Sequence, residues 1–245
     1  MNTERIDFIS SYCDRWCERC AFTNRCSTFA CTIAVGMCGD IAAGIELAVG
    51  APHLPQGAPR ETVGAEWLPE YPNVEPSAEE MAEYRRGEKA RRVRLDRAAV
   101  NVRVKAYARR SSAWLEQHRE RVAASADPVV REALDIVAWD TYFVAAKLHR
   151  ALDSRDRARH DEDEDEGNDH PVQNDWNGSA KVALISLKRS ELGWRLIGDA
   201  TGDSRACGLG EAAGNLRRIV LEEFPKAMAF VRPGFDEPWR HEESR

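Results

Sequence analysis

The chain has 245 residues, enough for one large domain or two small ones, and either can bury a core. Hydrophobic residues make up 43% and charged residues 31%, an ordinary globular balance, and no apolar run approaches the roughly 20 residues that a membrane-spanning helix needs. A formal net charge of −6 excludes a generally basic nucleic-acid binder, although it conceals a strong local asymmetry.

The first informative stretch is Tyr12-Cys13-Asp14-Arg15-Trp16-Cys17-Glu18-Arg19-Cys20-Ala21-Phe22-Thr23-Asn24-Arg25-Cys26, which holds four of the seven cysteines as C-x3-C-x2-C-x5-C. Cysteine is scarce and oxidisable, so such a group implies disulfides or metal thiolates. The polar residues 1–5 have no apolar segment behind them, so no secretory signal is read. An odd cysteine count also fits poorly with a fully paired disulfide framework. A reduced, cytoplasmic setting is therefore expected, and metal is favoured over disulfide. In a helix Cys13, Cys17 and Cys20 fall at i, i+4 and i+7 on one stripe, and Cys26 returns after Thr23-Asn24-Arg25 as a fourth ligand. Arg15, Arg19 and Arg25 offset the charge of four thiolates. Zinc sites bring ligands in two tight pairs, and here there is one, Cys17 and Cys20. A [4Fe-4S] cluster accepts thiolates spread along a helix end and the loop after it, so the cluster is the first expectation and zinc the alternative.

Residues Cys17 to Cys26 resemble the C-x2-C-x5-C part of the iron-sulfur staple in RecB-type nucleases, a likeness that implies a [4Fe-4S] cluster on Cys17, Cys20 and Cys26. That family draws its fourth ligand from far upstream, whereas Cys13 lies four residues before Cys17. Its nuclease core needs an acid two residues before a lysine, and no lysine here has one. The chain as a whole resembles an uncharacterised bacterial family that opens with Cys-Asp-Arg-Trp-Cys-Glu-Arg-Cys and carries a late helix like Gly178 to Ile185. This implies a metal or cluster segment on a helical body and transfers no activity. Cys13, Cys17 and Cys20 also match the radical-SAM triad, but that chemistry needs alternating strands and helices, and the chain after Cys26 reads helix after helix.

Residues 27–49 have largely 3.6-residue apolar spacing and read as one buried helix ended by Gly50-Ala51-Pro52. Cys31 and Cys38 share a face of it and read as core thiols. Residues 50–76 are a Pro/Gly-rich loop. Ser77-Ala78-Glu79-Glu80 is a capping box that opens a long helix, whose basic arm over residues 85–110 is the basis of a second alternative, nucleic-acid contact. The arm's charges go round the helix and form no stripe. Val100 to Val104 alternates, and a short strand competes there. Asp127-Pro128 starts a helix to about Leu152, with Asp135, Asp140, Lys147 and His149 as its polar members. A di-iron bundle needs Glu-x-x-His, and no histidine has an acid three residues before it. An acidic run, residues 161–166, lies in a mobile loop spanning about 153–176. Asp175 or Asn177 caps a helix to Ile197, Gly202 breaks it, and a last helix runs through Leu216 and Val220 to Pro225.

The expected architecture is all-α: a cysteine segment over residues 1–50, the loop 51–76, and an antiparallel helical bundle over 77–245. Metal or cluster binding is the expected function. Four thiolate ligands fit electron transfer, redox sensing or structural stapling, serving a redox or protein partner, and a zinc site fits a structural or interaction module. No membrane partner is expected. No nucleophile elbow, Walker loop or paired-carboxylate signature is present, so no enzymatic activity is assigned.

Overall fold

The structure is a computed structural model and describes residues 4–50, 76–160 and 170–236. Among these residues there are seven α-helices and no strand, so the all-α expectation holds. Helices α1 (Ser27–Cys38) and α2 (Ile41–Val49) are followed by α3 (Ala78–Arg97), α4 (Ala99–Ala123), α5 (Pro128–His160), α6 (Asp175–Thr201) and α7 (Ser204–Glu223). Two compact units emerge: residues 1–10 with 17–90, and residues 11–16 with 91–245. This division differs from the expected one because Ser11–Trp16 belongs with the bundle and α3 carries the chain from one unit into the other.

In the second unit α4 packs on α5, α5 on α6, α6 on α7, and α7 back on α4, which closes a four-helix bundle. Residues 124–127 and 202–203 are too short to carry the chain back along a helix, so α4 and α5, and likewise α6 and α7, run antiparallel, and the pairs Arg150–Asp175 and Asp140–Arg189 make α5 and α6 antiparallel as well. Each helix starts where local chemistry dictates. Asp127 accepts the Val129 amide at 2.8 Å as α5 opens, and Asp203 accepts the Arg205 amide at 2.9 Å as α7 opens. The cap of α6 is Asn174, which accepts from Asn177; Asp175 and Asn177 lie inside the helix. Gly202 ends α6 at φ +66°, a conformation that costs a side chain roughly 1–2 kcal/mol.

Trp194 is fully buried and edge-on to Trp114 at 5.0 Å, in one core cluster that also holds Val104, Val137, Val144, Leu148, Leu187, Ile197 and Val220. The alternating segment at residues 100–104 is helical. Val100 and Val104 are buried one turn apart while Val102 is exposed, which is the 3.6-residue period overriding the twofold one. Asn101, also buried, donates to the Leu95 carbonyl at 2.8 Å and thereby satisfies the end of α3 at the break between α3 and α4. Helix α5 extends to His160, so residues 153–160 are helical and no loop begins at 153; Asp153 and Asp156 pair with Arg91 and Arg94.

In the first unit the expected helix over 27–49 is two helices. Gly39 at φ +68° ends α1, and Asp40 caps α2 by accepting the Ala43 amide at 2.8 Å. Nor is it buried, for Ala34 and Gly44 alone of its residues are inaccessible. The capping box at the start of α3 is as read: Ser77 Oγ accepts the Glu80 amide, and Glu80 accepts the Ser77 amide at 2.7 Å. The Pro/Gly-rich loop at 51–75 and the acidic run at 161–169 lie outside the described residues. Among the described residues no helix is long and apolar enough to cross a membrane.

Candidate functional site

Cys13, Cys17 and Cys20 are not on one helical stripe. Cys17 opens a three-residue 3-10 turn, Cys17–Arg19; Cys20 follows it, and a second turn, Thr23–Arg25, leads into Cys26. Helix is lost because each turn is closed by a local bond, such as Cys20 N–H to the Cys17 carbonyl at 3.2 Å and Arg25 N–H to the Phe22 carbonyl at 3.0 Å. All four cysteines are half-buried, and none of them is in a disulfide. Cys20 Sγ accepts the Phe22 amide and Cys26 Sγ the Phe29 amide, both at 3.4 Å, so two sulfurs already receive the backbone donors that a thiolate ligand takes. Cys26 does so as the N-cap of α1, where the helix dipole favours negative charge. The donor chemistry therefore fits a metal, but the closure does not: among the described residues no three His, Cys, Asp or Glu side chains are gathered to hold an ion.

Cys13 lies in the stretch Ser11–Trp16, which the bundle grips residue by residue. Lys147 on α5 donates to the Ser11 carbonyl at 2.8 Å. The Tyr12 hydroxyl donates to Asp175, which Arg150 holds with two hydrogen bonds, and the Tyr12 ring lies 4.6 Å from that of Phe230. That ring fits because residue 178 is glycine: a Cβ there would lie 2.4 Å from Tyr12 Cε1 and 2.8 Å from Phe230 Cζ. Trp139 Nε1 donates to the Asp14 carbonyl at 2.9 Å, and its indole stacks on Trp16 at 5.3 Å. Arg15 turns the chain between these two anchors with φ +59°, a conformation uncommon for a non-glycine residue and therefore imposed by its neighbours.

The strongest grip is ionic. Arg189 on α6 donates Nε and Nη2 to the two oxygens of Asp140 on α5, and Nη1 to Asp14 at 2.8 Å. Asp140 is fully buried and also accepts the Ser190 hydroxyl at 3.2 Å. Burial pushes its carboxyl pKa up, and the two-pronged hydrogen bond and charge of Arg189 oppose that. For Arg189, burial works against the charge, but its bonds to Asp140 and Asp14 prevail and hold its pKa above the ordinary guanidinium value. Both carboxylate oxygens of Asp140 accept from one planar fork, a geometry that a protonated acid would spoil, so the pair is ionic at neutral pH. From Asp140 the polar chain continues inward through Ser190 to Tyr107, which accepts Trp194 Nε1 at 3.0 Å.

Around Cys13 the groups are pulled from their ordinary ionisation. Burial pushes the Cys13 thiol up, opposed by the Arg15 amide and by the charges of Arg15 and Lys147. Burial and the nearby Arg150 lower Lys147 to about 8, and burial together with Asp175 raises Tyr12 to about 12. What this arrangement does chemically is to hold one cysteine and its flanking residues in a fixed, partly dry setting.

Two members of the grip, Asp140 and Lys147, were visible as polar residues of the α5 pattern, and Asp140 falls on the same stripe as Val137 and Val144. A charge on an apolar stripe requires a partner, and that signal points to an arginine such as Arg189. The parts taken by Trp139, Asp175 and Gly178 had no sequence signal. His149 and Asp135 are exposed on α5. On the basic arm Arg91, Arg94 and Lys105 are committed to Asp153, Asp156 and Asp96. Cys31 and Cys207 are half-buried and Cys38 is exposed. Comparison with protein-family models, with curated proteins and with solved structures finds no match to this chain.

Proposed function

We propose that Cys13, Cys17, Cys20 and Cys26 bind a metal centre, a [4Fe-4S] cluster, and that the protein uses it for electron transfer, redox sensing or structural stapling. The observation that carries this reading is the pair of backbone N–H donors on the sulfurs of Cys20 and Cys26. The spacing C-x3-C-x2-C-x5-C supports it. So do the 3-10 turns, which are held by few local bonds and can re-form around an ion as ligation and folding proceed together. A four-thiolate cluster leaves no iron open to substrate, so when bound it supplies an electron store or a cross-link.

The test is an anaerobic ultraviolet-visible spectrum of the full chain with iron, sulfide and zinc assayed on the same sample. A broad visible band with iron and sulfide in equal amounts, lost together in Cys20→Ser and Cys26→Ser, is the expected result. One tightly held zinc in a colourless protein would instead assign the same ligands to a zinc-stabilised structural or interaction module. Neither metal, with all four thiols freely alkylated in the folded chain, would overturn the reading.

A further inference from the structure

Helices α1 and α2 form a hairpin with almost no core of its own. Residues 27–49 contain two charged side chains, Asp40 and Glu46, and the pair closes where Gly44 leaves room: a Cβ there would lie 2.5 Å from Val35 Cα. That contact buries Ala34 and Gly44 and nothing larger. Ile33, Met37, Ile41, Ile45, Leu47 and Val49 stay open to solvent, between 44 and 77% exposed. Helices of 12 and 9 residues are too short to persist in water on propensity, so their stability has to come from burying these side chains against something.

We propose that this hairpin is a homodimer interface, covered by the same hairpin of a second copy of the chain in a small four-helix arrangement. The six side chains expose on the order of 700 Å² of surface, against the roughly 800 Å² that each partner contributes to a standard-size interface. A twofold contact places one patch on itself, so it supplies the apolar complement that this patch requires and brings no charge opposite it beyond Glu46 and Asp40. A bilayer is the poorer occupant, because the hairpin tip carries Asp40, which would enter the apolar layer first. The proposal is independent of the metal reading, since none of the six residues is a cysteine.

Sedimentation and light scattering of the full chain over a range of concentrations test it. The expected mass is about 55 kDa, twice the 27.5 kDa of one chain. Met37→Glu combined with Ile41→Glu should weaken association by about a hundredfold or more through like charges facing across the twofold axis, with helical circular dichroism retained. A wild-type chain that stays at one-chain mass at every concentration overturns the proposal, and this holds even where the variant misfolds. A dimer that survives the double variant overturns it too. Flotation of the wild-type chain with neutral phosphatidylcholine vesicles, abolished in the variant, would assign the surface to lipid and equally refute it.

Discussion

Replacing Arg189 with methionine tests the reasoning about the ionic grip most directly. Methionine keeps much of the volume but leaves Asp140, whose side chain is fully buried, without its counter-charge. Breaking a buried pair from one side typically costs about 3–5 kcal/mol. Arg189 is 27% exposed, so some water reaches the pair, and the lower end, about 3 kcal/mol, is expected. For a chain of this size that lowers the Tm by roughly 6–12 °C, measured by circular dichroism. The loss comes from an unpaired charge, so removing the charge should restore most of it: Asp140→Asn with Arg189→Met is expected to be more stable than Arg189→Met alone. The pH dependence has a definite sign. Asp140 is already raised by burial in the intact chain; without Arg189, burial and the Asp14 charge act against the Ser190 hydroxyl only and raise it further above the unfolded value of about 3.9. A raised carboxyl means that the folded chain takes up protons first, so the deficit is fully present at neutral pH. It shrinks as pH falls through the folded pKa towards about 4. A cost below about 1 kcal/mol, or no rescue by Asp140→Asn, would refute the account.

Gly178→Ala drives a Cβ into the Tyr12 and Phe230 rings and should destabilise the chain by roughly 1–3 kcal/mol. In urea titrations that cost should fall in the Tyr12→Ala background, and strictly additive costs would mean that the two residues do not meet. Burial opposes the Asp236 charge, but hydrogen bonds from Arg232 and Lys181 overcome it and hold the carboxyl well below the ordinary range. Asp236→Asn should therefore cost roughly 1.5–3 kcal/mol at neutral pH. A depressed carboxyl stabilises above its unfolded pKa, so the gap between wild type and Asp236→Asn should close as pH falls below about 4; a gap constant down to strong acid contradicts the assignment.

Much of this fold is legible in one dimension. The apolar periods of residues 127–152 and 178–197, the Ser77 capping box, Gly202 and Asp127-Pro128 are short-range signals, because a helix is built from bonds four residues apart and its caps from the residues beside them. The cysteine spacing is equally local, and it does not say how the backbone between the sulfurs runs. Here periodicity misleads: Cys13, Cys17 and Cys20 fit a helical stripe, yet the backbone between Cys17 and Cys26 closes 3-10 turns. Single-chain patterning also failed over residues 27–49, where apolar content suggests one buried helix, but Gly39 and Asp40 break it in two and most of its side chains are exposed. Apolar composition says that a surface must be covered, and not by what.

The sequence by itself determined the all-α class, the cores of the bundle helices and the caps at Ser77 and Asp127, since each depends on residues within a turn or two of one another. Tertiary structure alone decided that Ser11–Trp16 joins a bundle more than a hundred residues further along the chain, that Arg189 reaches both Asp14 and Asp140, and that Gly178 makes room for Tyr12. Those contacts depend on which faces meet when α5 packs on α6, and no spacing rule relates residues 14, 140 and 189 before the helices are brought together.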